Sequence, residues 1–167
     1  MSESKIQIVN SNDEIVGNKD RDKIDFEKEI YRVAALWVTN SNGGVLLAQR
    51  KWTKDKDPGK WGPAVAGTLE EGETYESNIY KEAEEEIRLT NLKVEMGLKV
   101  RVDQPHNHFF CQWYTVTVDK NIDEFKMQEE EIEQLAWVPK GKLIEDIRDH
   151  PENYVLSMPQ VVKLFCK

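Results

Sequence analysis

Gly67-Thr68-Leu69-Glu70-Glu71-Gly72-Glu73, followed after seven residues by Lys81-Glu82-Ala83-Glu84-Glu85-Glu86-Ile87-Arg88-Leu89, decides both the fold and the chemistry of this chain. On a helix, positions i, i+3 and i+4 share one face. Glu82, Glu85 and Glu86 have that spacing, so three carboxylates point toward one place. Like charges so arranged repel one another and weaken the helix. A divalent cation removes the repulsion, and hard cations such as magnesium prefer oxygen ligands. Ile79, Ala83 and Ile87 recur every fourth residue on the other side and make an apolar stripe for packing. A solvated acidic helix face is the plainer reading of such a charge run. Gly67 and Glu73, at fixed distances upstream, tell against it.

These residues resemble the Nudix box: Gly, five residues, Glu, seven residues, then Arg-Glu-apolar-x-Glu-Glu-x-Gly-apolar. The chain supplies Gly67, Glu73, Glu82, Ala83, Glu85, Glu86 and Leu89 at those positions. It departs at Lys81, where the pattern has Arg, and at Arg88, where it has Gly. The resemblance implies an α/β fold, an α/β/α sandwich around a mixed sheet. It also implies a bound Mg2+ or Mn2+ held by Glu82, Glu85 and Glu86, with Gly67, Glu73 and Lys81 shaping the site. Arginine forks two hydrogen bonds to carboxylates, whereas lysine is a point charge on a flexible stem and orients its partners less well. A non-Gly residue in the left-handed conformation that ends many helices costs about 1 kcal/mol. Either Arg88 accepts that cost or the helix runs on to Asn91, and Asn91 is the expected stop.

A chain of 167 residues suits one domain, expected over 1–167 with an N-terminal hairpin extension at about 5–20. Its 39% hydrophobic and 32% charged residues read as soluble and globular. No apolar run approaches the roughly 20 residues that span a bilayer, and Met1–Lys5 lack the apolar core of a signal peptide. Cys111 and Cys166, far apart and without a CxxC pair, read as buried thiols in the reducing cytoplasm. The net charge of −8 argues against a nucleic-acid polymer as partner. It also repels a phosphorylated substrate, unless charge is reversed locally. The segment Arg50–Lys60, net +3, reverses it. A small diphosphate is therefore the expected partner, with no membrane, and the chain is expected as a monomer or homodimer.

Along the chain, Ile6–Val9 and Glu14–Val16 flank Asn10–Asp13 as a short hairpin. Residues 17–25 read as a polar linker. Tyr31–Thr39 is a buried strand, and Asn40–Gly44 turns it into a second strand, Val45–Arg50. A short strand at Ala64–Ala66 delivers the chain to Gly67. Thr74 caps the acidic helix. Leu92–Gln104 and Phe109–Val118 pair as antiparallel strands around a turn at Pro105–Asn107. Leu135–Val138 is a further strand, Gly141–Arg148 a helix, and Ser157 opens the last helix. Strands interleaved with helices predict a mixed sheet covered on both faces.

Beyond the box, Asn12-Asp13-Glu14-Ile15-Val16-Gly17 and then Gln49-Arg50 … Lys54 … Pro58-Gly59-Lys60-Trp61 resemble the isopentenyl-diphosphate isomerase branch. That resemblance nominates Arg50 and Lys54 as the clamp on the substrate diphosphate. The isomerase chemistry does not carry over. It needs a cysteine just before the box glycine and a histidine just after it, and here the order is Ala66-Gly67-Thr68. Alanine neither gives nor takes a proton. The expected activity is metal-dependent hydrolysis of a nucleoside-diphosphate derivative or similar small diphosphate. Glu82, Glu85 and Glu131 are the residues assigned to catalysis, and Glu131 serves as base or extra ligand. An isomerase and a non-catalytic nucleotide-binding module remain the alternatives. His106 and His108 read as a surface hairpin rather than a metal site. Trp37, Trp52, Trp61 and Trp113 can each stack on a nucleobase or fill the core.

Overall fold

The computed structural model describes residues 4–166. The apolar run of the first long strand organises the molecule. Strand β3 (Ile30–Thr39) alternates its side chains between two cores. Ala34, Leu36 and Val38 face one core with Ile79, Ala83 and Ile87 of helix α1 (Tyr75–Ile87). Ala35 and Trp37 face the other, with Leu143 and Ile147 of α2 (Lys140–Asp149) and Met158, Val161 and Val162 of α3 (Met158–Phe165). A strand buried on both faces needs apolar residues at successive positions, which is why β3 reads as a continuous run rather than an alternation. The result is the expected α/β/α layering.

Strands β1 (Ile6–Val9) and β2 (Ile15–Lys19) form the N-terminal hairpin, and β1 also pairs with β3. Next come β4 (Gly44–Arg50), β5 (Trp61–Pro63) and β6 (Val65–Thr68). After α1 follow β7 (Glu95–Gln104), β8 (Asn107–Thr117) and β9 (Ile132–Pro139). β3 runs parallel to β8 from Ile30↔His108 to Thr39↔Thr117, and antiparallel to β6 from Val33↔Thr68 to Leu36↔Val65. β4 touches β3 only at Thr39↔Val45, then diverges to pair with β5 and β9. The sheet is therefore mixed. Two consequences reach the site: β6 sets Gly67 beside Ala34, and the β4–β9 register sets Arg50 beside Ile132.

Two local expectations fail. The supposed linker from residue 17 is in part strand: Gly17, Asn18 and Lys19 pair with Ile8, Gln7 and Ile6. Their side chains are polar, but their backbone groups satisfy the outer edge of β1. The helix also ends at Ile87, not Asn91. Arg88 adopts the left-handed conformation, at φ 54° and ψ 34°. The cause lies one residue on. Leu89 is 2% exposed and its N–H bonds back to the Ala83 carbonyl at 3.1 Å, so the chain turns at once to return Leu89 to the core. Among the described residues no helix is long and apolar enough to cross a membrane.

Arg88→Gly should raise the unfolding free energy by about 0.5–1 kcal/mol. Relief of the left-handed strain outweighs loss of a cation near the helix C-terminus. Urea denaturation of the two proteins measures this, and an unchanged or lower midpoint would contradict it.

Candidate active site

The turn before α1 is built by hydrogen bonds to its backbone. Gln7, buried in β1, donates from Nε2 to the carbonyls of Glu70 and Glu73, both at 2.7 Å. Arg32 Nη1 donates to Gln7 Oε1 at 3.2 Å, and Arg32 Nε donates to Asp13 at 2.7 Å. Asp13 also accepts from Tyr75 Oη at 2.9 Å and Lys99 Nζ at 2.7 Å. Burial pushes the Asp13 carboxyl up, but its bonds to Lys99, Arg32 and Tyr75 together hold it below the usual range. The N-terminal hairpin is thereby fastened to β3, α1 and the box turn. Thr74 caps α1 by accepting the Ser77 N–H at 3.0 Å, as expected.

Glu73 is fixed from both sides. Its Oε2 accepts the Glu70 N–H at 2.8 Å and Asn78 Nδ2 at 2.9 Å, while Oε1 takes the Lys81 ammonium. Lys81 also lies 3.4 Å from Glu70 and 3.8 Å from Glu82. This arrangement suits an orienting Glu73, not a metal-binding one.

Glu82 lies directly against the backbone of β6. A Cβ at Gly67 would sit 2.3 Å from Glu82 Cγ and 2.6 Å from Oε1, so any larger residue there would force the Glu82 side chain to move. Burial pushes the Glu82 carboxyl up to about 7. Lys81 opposes that shift, and Glu85, Glu73 and Glu70 add to it. Glu86, one turn on, accepts the Ala66 N–H at 3.3 Å. Burial, and after it the Glu82 charge, raise its carboxyl well above the ordinary range; the Ala66 N–H and Arg50 offset this only in part. Glu85 is exposed and borders a groove with Arg88, Met127, Gln128, Glu129 and Glu130.

Glu82 and Glu86 thus both lie half-buried against β6, while Glu85 is exposed, with its charge still acting on Glu82. Among the described residues, no three Asp, Glu, His or Cys side chains already converge on one point that would hold an ion. Carboxylates without a counter-ion spread from one another. The donor set still fits a hard divalent cation. Glu86 is a half-buried carboxylate with one long backbone hydrogen bond, and no basic side chain pairs with it among the described residues. Such a group needs a proton or a cation.

The basic loop closes on the acidic segment. The Arg50 N–H bonds to Lys60 O at 2.8 Å and the Gly59 N–H to Arg50 O at 3.1 Å, which ties off residues 51–58. Lys54 Nζ pairs with Glu131 at 2.6 Å. The Lys51 N–H reaches Glu131 O at 3.0 Å, and the Gln128 N–H reaches Glu86 O at 2.8 Å. The end of β4 at Arg50, the segment leading into β9 at Glu131 and the last turn of α1 at Glu86 therefore meet. Arg50 itself donates from Nε to Lys56 O at 2.9 Å and acts on the Glu86 charge.

Several other candidates are placed elsewhere. His108 pairs with Asp103 at 2.7 Å and His106 with Glu27, so they do not converge on a metal. Cys111 and Cys166 belong to the core under α2 and α3, on the opposite side of the sheet from Glu82 and Glu86. Burial pushes the Cys111 thiol up to about 12. Trp37 and Trp113 pack with Phe165 in that same core, and half-buried Trp61 packs against it. Trp52 alone of these four is open, at 65% exposure, with its ring over Gly59. Gln7, Arg32 and Asn78 went unnoticed in the sequence. Their one signal is a polar residue set in or beside an apolar run.

Residues 29–159 match the family described as the NUDIX domain. An uncharacterised Nudix hydrolase from Pseudomonas aeruginosa is 24% identical over 157 residues, covering 94% of this chain and 90% of that protein. An isopentenyl-diphosphate Delta-isomerase from Corynebacterium diphtheriae is 27% identical over 126 residues, covering 70% and 68%. A crystal structure from Deinococcus radiodurans superposes with a TM-score of 0.82 at 22% identity, covering 96% of this chain and 99% of the other.

The raised carboxyls of Glu82 and Glu86 fix a pH dependence. Between about pH 4.5 and 7 the folded chain holds on Glu82 a proton that the unfolded chain has released, and the raised Glu86 carboxyl acts in the same direction, so stability falls as pH rises. Below that window both states are protonated and the penalty is absent; above it the Glu82 share of the penalty is complete. A bound cation needs the deprotonated forms, so its stabilisation grows in the same direction. Thermal melts should show a larger Mg2+-induced rise in Tm at about pH 8 than at about pH 5. A rise independent of pH, or one retained in Glu86→Gln, would contradict the assignment.

Proposed function

The chain belongs to the Nudix hydrolase family, whose members cleave phosphoanhydride bonds, and from that premise we propose a metal-dependent hydrolase of a nucleoside-diphosphate derivative or similar small diphosphate. The observation that carries this reading is the half-buried pair of Glu82 and Glu86 against the backbone of Gly67 and Ala66, with no basic side chain joined to Glu86 among the described residues. Glu82, Glu85 and Glu86 would hold Mg2+ or Mn2+. When bound, such an ion neutralises charge on phosphate oxygens and acidifies a coordinated water.

The chain's own residues supply the rest. Arg50 holds two phosphate oxygens with its planar fork, and Lys54 adds a mobile positive charge. The loop that carries both reverses the sign of a chain whose net charge is −8. When Lys54 turns from Glu131 to the phosphate, the Glu131 carboxylate is free to accept the proton of the attacking water. Trp52, exposed beside this clamp, offers a face on which a nucleobase stacks. Two buried, unpaired thiols fit a reducing compartment, which supports the cytoplasm as its location.

The Corynebacterium relative keeps an isomerase reading in view. Proton transfer on carbon needs a donor and an acceptor at the site. Ala66 supplies neither, and both thiols lie across the sheet.

A panel of nucleoside-diphosphate derivatives and other small diphosphates, incubated with the protein and Mg2+ or Mn2+, should yield phosphate or nucleotide products. Glu86→Gln should lower kcat by about 10²-fold or more. Dimethylallyl diphosphate formed from isopentenyl diphosphate, with no hydrolysis anywhere in the panel, would overturn the proposal.

Arg50→Ala separates binding from chemistry. It should raise KM about tenfold, or about 1.4 kcal/mol, and leave the Mg2+-induced rise in Tm intact. An unaltered KM would make Arg50 merely the residue that closes the loop.

A further inference from the structure

Asn78 is 0% exposed, on the packed side of α1 next to Ile79. Its Nδ2 donates to Glu73 Oε2 at 2.9 Å and to the Thr68 carbonyl at 3.3 Å. Its Oδ1 is buried and has no hydrogen-bond partner among the described residues. Both neighbours of the amide are acceptors, so its NH2 end must face them. The reversed amide would press an oxygen against a carboxylate. A buried polar group that leaves one atom unsatisfied requires a reason for its presence. An apolar residue of that size would fill the space without the penalty.

The reason lies in Lys81. An arginine there would grip the neighbouring carboxylates with a rigid planar fork, but a lysine presents one rotatable ammonium. That ammonium is shared among Glu73, Glu70 and Glu82. Without Asn78, the Glu73 carboxylate is held only by the Glu70 N–H and by that shared ammonium. With Oε2 pinned by the Glu70 N–H and by Asn78, it presents Oε1 to Lys81 in one orientation, and Lys81 in turn lies 3.8 Å from Glu82.

We propose that Asn78 is a positioning residue that compensates for the lysine at position 81: its amide adds to the Glu70 N–H a fixed side-chain grip on Glu73 that the ammonium lacks, and so keeps Lys81 and Glu82 in register for the metal site. This rests on the reading of Glu82 as a metal-binding carboxylate.

The test is a double-mutant cycle of Asn78→Ala and Lys81→Arg, with Asn78→Leu as a volume-conserving second variant. Each protein is characterised by Tm, by Mn2+ affinity from calorimetry, and by kcat and KM on the best diphosphate of the panel. Asn78→Ala and Asn78→Leu should each weaken Mn2+ binding and kcat by about tenfold or more, with KM little changed. Adding Lys81→Arg should restore most of both. A residue that merely fills the core would not be rescued by an arginine on the outer face of the helix. Wild-type Mn2+ affinity in both Asn78 variants, or the absence of rescue, overturns the proposal while leaving the hydrolase reading intact. A wild-type chain that binds Mn2+ but hydrolyses nothing overturns the hydrolase reading instead, and the Mn2+ limb still decides Asn78.

Discussion

A carboxylate side chain lying on a bare stretch of backbone is the contact on which the rest depends. Because residue 67 has no Cβ, Glu82 drops against β6 and α1 rests flat on the sheet. Ile79, Ala83 and Ile87 then reach the core below, while Glu86 is carried to the Ala66 N–H. Any side chain at Gly67 would push the Glu82 carboxylate off β6. Packing and chemistry are therefore one constraint here: the close approach that buries the apolar stripe also buries the charge.

Buried charge has to be managed, and the chain manages it unevenly. Glu73 is satisfied by three donors. Asp13 is satisfied by Arg32, Lys99 and Tyr75. Glu82 and Glu86 are not, and their carboxyls are driven up accordingly. Complete satisfaction marks the groups that hold the framework, and incomplete satisfaction marks those with coordination left to give. The same contrast separates Glu131, already joined to Lys54, from Glu86.

Much of this was legible beforehand because it depends on local spacing. The i, i+3, i+4 carboxylates, the Thr74 cap, the turn at Asn40–Gly44 and the apolar run of β3 all rest on residues close in sequence. The layering followed from the same pattern. Long-range effects were not legible. The helix stop depended on Leu89 needing the core, which the weak preference for Asn91 cannot express. β5 was not expected: Trp61–Pro63 is too short to show a strand pattern, yet the edge of β4 recruits it. Gln7 and Asn78 matter through partners 63 and 5 residues away, and nothing in their neighbourhoods announces an acceptor. The separate placement of Glu85 likewise needed the 127–130 segment, which folds in from beyond β8.

The parallel ladder between β3 and β8 and the antiparallel ladder between β4 and β9 also set the order in which this molecule can come together. Each joins segments far apart in the chain, with Ile30 opposite His108 and Arg50 opposite Ile132. Closing loops of that length is paid in chain entropy before any contact repays it. Helix α1 and the β1–β2 and β7–β8 hairpins form from neighbours and are not so delayed. Glu82 and Glu86 can thus be present on a helix well before Glu131 and the basic loop arrive. The site is complete only when the β4–β9 ladder has closed, because that ladder brings Arg50 and the segment of Glu131 together beside α1.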